Sequence, residues 1–247
     1  MALACEKEEA VDHQSTMLHP PGTHTGRVPD CLDGPLLAYA SRTGTRRTLA
    51  ALRKAEWRLL VSPSCLRTEG FSYALDNGAW SSYTQGRPFD HQSFEKSLSR
   101  LGRGGDWTVL PDIVTGGHAS LELSLRWMRR VLDASPYALL AVQDGLVPDD
   151  VTPFLGKRVG IFVGGSTAWK EATLPQWGAL GRQIDCWVHV GRINSARRIR
   201  LCQLAGVTSF DGSSVSRYSC TLPLLDHARN QCCLFPGGVL CNMPKKQ

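Results

Sequence analysis

The sequence predicts an α/β protein built as one (β/α)8 barrel, and three observations lead there. Eight short apolar segments alternate with amphipathic helical patterns from Pro35 onward. The apolar segments are nearly unbroken, as in strands of a parallel sheet covered on both faces. Five of them stop on a polar or glycine residue: Asp76, Asp112, Gln143, Gly164 and Asp211. In a (β/α) barrel the carboxyl ends of the strands converge on one face, so strand after strand ending this way assembles a site there. An open, doubly wound sheet is the alternative that the same alternation allows.

Residues 1–33, charged and then rich in His, Pro, Gly and Thr, show no periodicity and are expected to form a poorly ordered leader. Residues 34–247 are expected to form one domain. Leu36 to Ala40 reads as the first strand and Ser41-Arg42-Thr43-Gly44 as a turn. Thr45 to Glu56 follows as a helix with Leu49, Leu52 and Ala55 on one face. Trp57 to Val61 and Tyr73 to Leu75 are the next strands, the latter ending on Asp76-Asn77-Gly78. A helix is expected from Asp90 to Leu101, with Phe94 and Leu98 facing inward. Strand Trp107 to Val114 precedes a helix around His118 to Ala134. Strand Tyr137 to Gln143 leads to a short helix at Pro148. Strand Val159 to Val163 is followed by helical sequence to Ile184. Cys186 to Val190 is the seventh strand; Asn194 is placed to cap a helix over Ser195 to Ala205. The strand bearing Asp211 and a helix from Leu222 to Gln231 complete the series.

The length of 247 residues matches a single barrel of about 250. Hydrophobic content of 42% with 20% charged residues fits an ordinary globular core. The 28 Lys+Arg against 22 Asp+Glu leave a formal charge of +6, compatible with a polyanionic partner and equally with plain solubility. Nine scattered cysteines, an odd count without a signal-peptide pattern, predict reduced thiols and a cytoplasmic location. No apolar run approaches the roughly 18 residues of a membrane span. Cys220, His227, Cys232, Cys233 and Cys241 cluster near the C-terminus without a familiar zinc spacing, so no metal is expected.

Asp211, followed by Gly212-Ser213-Ser214, is accessible enough to act as a nucleophile on an sp3 carbon; taken alone, a helix cap explains it as well. Asp76 is the candidate proton carrier, although Asn77-Gly78 also marks a simple turn. Asp112 and Gln143 together offer the acceptors and donor that read a guanine-like edge, and each is also a common cap or loop residue. Gly164 and Gly165 offer backbone groups to the same ligand. Trp80 and Tyr83 are candidates to stack on a base. Arg42, Arg46 and Arg47 after the first strand, and Arg192 and Arg197 after the seventh, could reach phosphates at the mouth; Arg198 and Arg200 read as a solvated helix face. His189 reads as a core or rim histidine.

These residues, in this order, resemble the tRNA-guanine transglycosylase superfamily. Within it they are most similar to the DNA-directed branch, the deazapurine-DNA transglycosylases (DpdA) of bacteriophages and bacterial genomic islands. The resemblance spans about Pro35 to Asn230. It is sharpest in Ala74-Leu75-Asp76-Asn77-Gly78-Ala79-Trp80, Pro111-Asp112-Ile113-Val114, Val142-Gln143-Asp144-Gly145, and His189 to Ser195 through Ser209-Phe210-Asp211-Gly212. It implies that Asp76 matches the aspartate of the family's Asp-Ser-Gly-Gly-Phe motif and that Asp211 matches its nucleophile. Asp112, Gln143 and Gly164 would hold the base. The family's Cys-x-Cys-x2-Cys…His zinc site is missing, as is the subdomain built on it, and Gly-Ser-Ser replaces the Cys-x-x-Pro-Thr-Arg that follows the nucleophile. The resemblance therefore implies a compact enzyme that exchanges guanine in DNA for a 7-deazaguanine such as preQ0, without cofactor or metal. Exchange in tRNA, N-glycosidase action on nucleic acid, and a non-catalytic nucleic-acid-binding subunit are the alternatives. DNA is the expected partner, with a homodimer or a duplex-opening helper protein left open.

Overall fold

In the computed structural model, which describes residues 35–41, 45–218 and 220–231, eight parallel strands pair in sequence order and close into a barrel, β1 against β8. The elements run β1 (Leu37–Ser41), α1 (Arg46–Lys54), β2 (Arg58–Val61), β3 (Tyr73–Leu75), α2 (Ala79–Thr84) and α3 (His91–Leu101). They continue with β4 (Thr108–Val109), α4 (Gly117–Ala134), β5 (Ala138–Val142), α5 (Pro148–Val151), β6 (Val159–Val163) and α6 (Thr167–Ile184). The last are β7 (Val188–Val190), α7 (Ala196–Ala205), β8 (Ser209–Gly212), α8 (Ser214–Arg217) and α9 (Thr221–Asn230). The closed barrel, not the open sheet, is therefore the architecture. The expected leader lies outside the described residues. Among the described residues no helix is long and apolar enough to cross a membrane.

All eight expected strands are present, and three local readings change. β4 is only two residues long, because Pro111 has no N–H for the ladder; Leu110 makes the last rung, to the Leu139 carbonyl at 2.9 Å. Ser195, not Asn194, caps α7 by accepting from the Arg198 N–H; Asn194 instead accepts the Ser214 N–H at 2.9 Å and ties the β7 and β8 loops together. Helix α2 has no periodic signal to announce it. It starts from Gly78 in the left-handed region (φ 83°), with the Asn77 side chain accepting the Ala79 N–H at 2.8 Å.

Strand periodicity of two sorts the side chains. One set faces the helices and forms the larger core, including Ala38, Leu59, Leu75, Leu140, Ile161, Val188 and Phe210. The other fills the lumen with Tyr39, Ala74, Trp107, Val109, Leu139 and Trp187, with Phe162 packed against them. At the amino-terminal end of the lumen Asp106 accepts from Tyr39 Oη at 2.9 Å and from Arg58 at 2.6 Å. The parity that points Ala74, Leu139, Trp187 and Ser209 into the lumen also points Asp76, Gln143, His189 and Asp211 there, nearer the carboxyl-terminal mouth.

Helices α6 and α7 meet at a glycine. A Cβ built on Gly178 would fall 2.0 Å from the Ala205 carbonyl oxygen, so the helices approach through bare backbone. Gly178→Ala is expected to cost about 1–3 kcal/mol through overpacking. Urea denaturation reads this directly; an unchanged midpoint would contradict the close approach.

Candidate active site

Four acidic and amide side chains from β3, β4, β5 and β8 meet at the mouth. Asp112, beyond β4, is held by two amides: Asn77 Nδ2 donates to its Oδ1 at 2.7 Å and Gln143 Nε2 donates to its Oδ2. Asn77 also donates to the Leu110 carbonyl at 2.7 Å, which anchors the β3 loop on β4. Gln143 is 2% exposed; its Oε1 accepts the Thr115 N–H at 2.6 Å and its Nε2 also reaches Ser120 Oγ at 3.3 Å. Gln143 thus orients Asp112 and the β4 loop through both atoms of its amide.

Asp76 follows β3, partly exposed, and accepts backbone N–H groups of Asn77 and Gly78. Burial, then the charges of Asp211 and Asp112, push its carboxyl up to about 7. Burial likewise raises Asp112 to about 6, against the Asn77 hydrogen bond that favours its charged form. A carboxyl balanced near neutrality beside two others is suited to proton transfer.

These raised values bear on stability. Both carboxyls hold their protons more tightly in the folded chain than in the unfolded one, so protonation stabilises the fold. That contribution is fully present below about pH 4 and is lost as pH rises through the folded values. Asp76→Asn is therefore expected to melt above the wild type at about pH 8, with the difference closing toward about pH 4. Calorimetry at the two pH values checks this; a pH-independent difference would contradict it.

Asp211 lies within β8 and is 5% exposed. His189 Nε2 contacts its Oδ1 at 3.1 Å, and the Arg192 backbone N–H donates to its Oδ2 at 3.3 Å. The β7 turn that aims this N–H is unusual: Arg192 has φ 61°, and the buried Lys170 ammonium donates to the Gly191 carbonyl behind it. Burial and the neighbouring Arg192 guanidinium pull Lys170 down to about 8.

The Arg192 side chain crosses the mouth from β7. Its guanidinium stacks 4.1 Å above the Trp80 ring and donates to the Gly165 carbonyl at 2.5 Å. Trp80 is 45% exposed and has Tyr83 beside it, ring centroids 5.8 Å apart. A ligand stacking on that face of Trp80 would displace the Arg192 guanidinium.

The glycine pair has structural reasons of its own. The Gly164 N–H donates to the Val142 carbonyl at 2.9 Å. Gly165 has φ 72°, and a Cβ there would fall 2.5 Å from Asp144 Oδ2. Arg46 and Arg47 sit exposed in the first turn of α1, on the mouth side, while Arg42 lies outside the described residues. Arg197 and Arg198 both pair with Glu171, at 2.8 and 2.9 Å. Beside the Asp76 loop, a groove of about 680 Å³ is lined by Ser64, Asn77, Gly78, Ser81, Ser82 and Arg87 among others.

No metal-holding group of three or more His, Cys, Asp or Glu residues occurs among the described residues; Cys232, Cys233 and Cys241 lie outside them. The roles of Asn77, His189 and Lys170 are not legible as local patterns in the sequence. A signal existed only for His189, whose place two residues before Gly191 gives it lumen parity. Comparison with protein-family models and with curated proteins returns no significant match.

Proposed function

We propose that the protein is a base-exchange enzyme acting on nucleic acid, a DNA-guanine transglycosylase that replaces guanine with a 7-deazaguanine such as preQ0. The observation that supports this most is the trio of Asp76, Asp112 and Asp211 at one barrel mouth, close enough that the latter two raise the proton affinity of the first. Their surroundings divide the work. Asp211, held by the Arg192 N–H and in contact with the His189 ring, is the nucleophile; Asp76, poised near neutrality, moves the proton; Asp112, clamped by Asn77 and Gln143, accepts N–H groups of the base.

The target nucleotide leaves the helix and enters the mouth. Asp211 attacks C1′ and the C1′–N9 bond breaks, with its electron pair departing on guanine N9. Protonated Asp76 neutralises the leaving base. The incoming deazaguanine gives its ring N–H proton to the Asp76 carboxylate, its nitrogen attacks C1′, and Asp211 is released. The proton cycle closes, and one N-glycosidic bond replaces another, so no energy source enters the balance. Trp80 is the stacking surface for the base once Arg192 swings aside. The groove along Ser64, Ser81 and Arg87 suits a flanking nucleotide, and Arg46 and Arg47 suit a phosphate.

The test is incubation with radiolabelled guanine and duplex DNA, single-stranded DNA or tRNA. Label entering DNA supports the proposal, and label entering only tRNA moves the substrate class. Abasic sites would point to an N-glycosidase instead. Binding without exchange, unaffected by Asp211→Asn, would point to a non-catalytic subunit.

A further inference from the structure

His189 is completely buried, yet both its ring nitrogens are matched to polar partners. Nδ1 lies 2.8 Å from Ser209 Oγ, and Nε2 lies 3.1 Å from Asp211 Oδ1. The sheet register explains the fit. β7 and β8 pair His189 with Ser209, and Asp211 follows two residues later on the same face, so one imidazole spans the step between them. The ring is also wedged in place. Phe162 stacks on it at 5.1 Å between centroids, Trp107 tilts against it at 4.6 Å, and Tyr39 meets it edge-on at 5.6 Å.

We infer that His189 is a positioning residue for Asp211, an imidazole locked in its Nε2–H tautomer that aims the carboxylate at the sugar carbon; this rests on the base-exchange reading. The lock is a chain of hydrogen bonds. Trp187 Nε1–H has no acceptor role and donates to Ser209 Oγ at 2.7 Å. The Asp211 carboxylate can only accept, so the ring proton lies on Nε2 facing it, and Nδ1 takes the hydroxyl proton of Ser209. The opposite tautomer would set the Nε2 lone pair against the carboxylate. Burial, opposed by Asp211 and reinforced by the Lys170 charge, holds the imidazole below its usual proton affinity. A neutral donor orients the nucleophile without cancelling its charge, whereas an imidazolium would form an ion pair and blunt it.

Two readouts test this. The ¹⁵N–¹H spectrum of imidazole-labelled protein should show His189 neutral with its proton on Nε2, and Asp211→Ala, which removes the acceptor, should mix the tautomers. An Nδ1-protonated or doubly protonated ring in the wild type would overturn the inference. In exchange assays with duplex DNA and preQ0, His189→Leu should lower kcat about 100-fold while KM for preQ0 changes less than about threefold. His189→Gln, which can return an N–H to the same spot, should recover activity to within about tenfold of the wild type. Equal activity in the two variants, with matching circular dichroism, would overturn the positioning role. If His189→Leu does not fold, the spectrum and the His189→Gln variant decide. Failure of the wild type to exchange any base would instead overturn the base-exchange reading, and the spectrum would still decide whether His189 holds Asp211.

Discussion

Asp211→Asn is expected to lower base exchange by about 10,000-fold or more while leaving the melting temperature within a few degrees of the wild type. Asparagine has the shape of aspartate, and its amide oxygen can still accept from the His189 ring or the Arg192 N–H. It lacks the negative charge needed to form an ester bond at C1′. The covalent sugar–enzyme adduct should vanish with it, read as loss of a protein–DNA band on a denaturing gel run before the second base is added. A persistent adduct in Asp211→Asn would move the nucleophile to Asp76 or Asp112. Loss of the fold along with the adduct would leave the charge untested, and Asp211→Ser, smaller and still polar, then serves as the second variant.

The next largest effect is expected at Asp76. Asp76→Asn removes the group that gives a proton to the leaving base and takes one from the incoming base, a loss of about 100- to 10,000-fold. The pH dependence carries its sign. Departure of guanine needs protonated Asp76 and should slow above about 7; uptake of the deazaguanine needs the carboxylate and should slow below about 7. Single-turnover measurements of adduct formation and adduct resolution separate the halves. In Asp76→Asn both should become slow and lose these opposed dependences. Halves that titrate in the same direction in the wild type would contradict the assignment.

Much of this fold was legible in the sequence. Strands covered on both faces are short apolar runs, and eight of them, separated by helical periodicity, leave few architectures. Asp76, Asp112, Gln143 and Asp211 could be assigned to the mouth because each stands at a strand end. What the residues do to one another was not legible. The Gln143–Asp112 clamp joins positions 31 apart, and the His189–Asp211 contact joins positions 22 apart. Such contacts depend on barrel register, and neither leaves a local pattern. Helix α2 escaped because six residues rich in Ser and Thr have little helical preference; an Asx turn and a left-handed glycine start it. Arg192 was read as a phosphate contact from its charge, whereas its positive φ and the facing Trp80 turn it across the mouth.

Whether Asp211 exchanges a base on DNA is read most directly by mass spectrometry of nucleosides. Duplex DNA is incubated with the purified protein and preQ0, then digested completely. The preQ0 deoxynucleoside is expected from the wild type and none from Asp211→Asn. Its absence from the wild type, with single-stranded DNA and tRNA equally unmodified, would contradict base exchange by this protein.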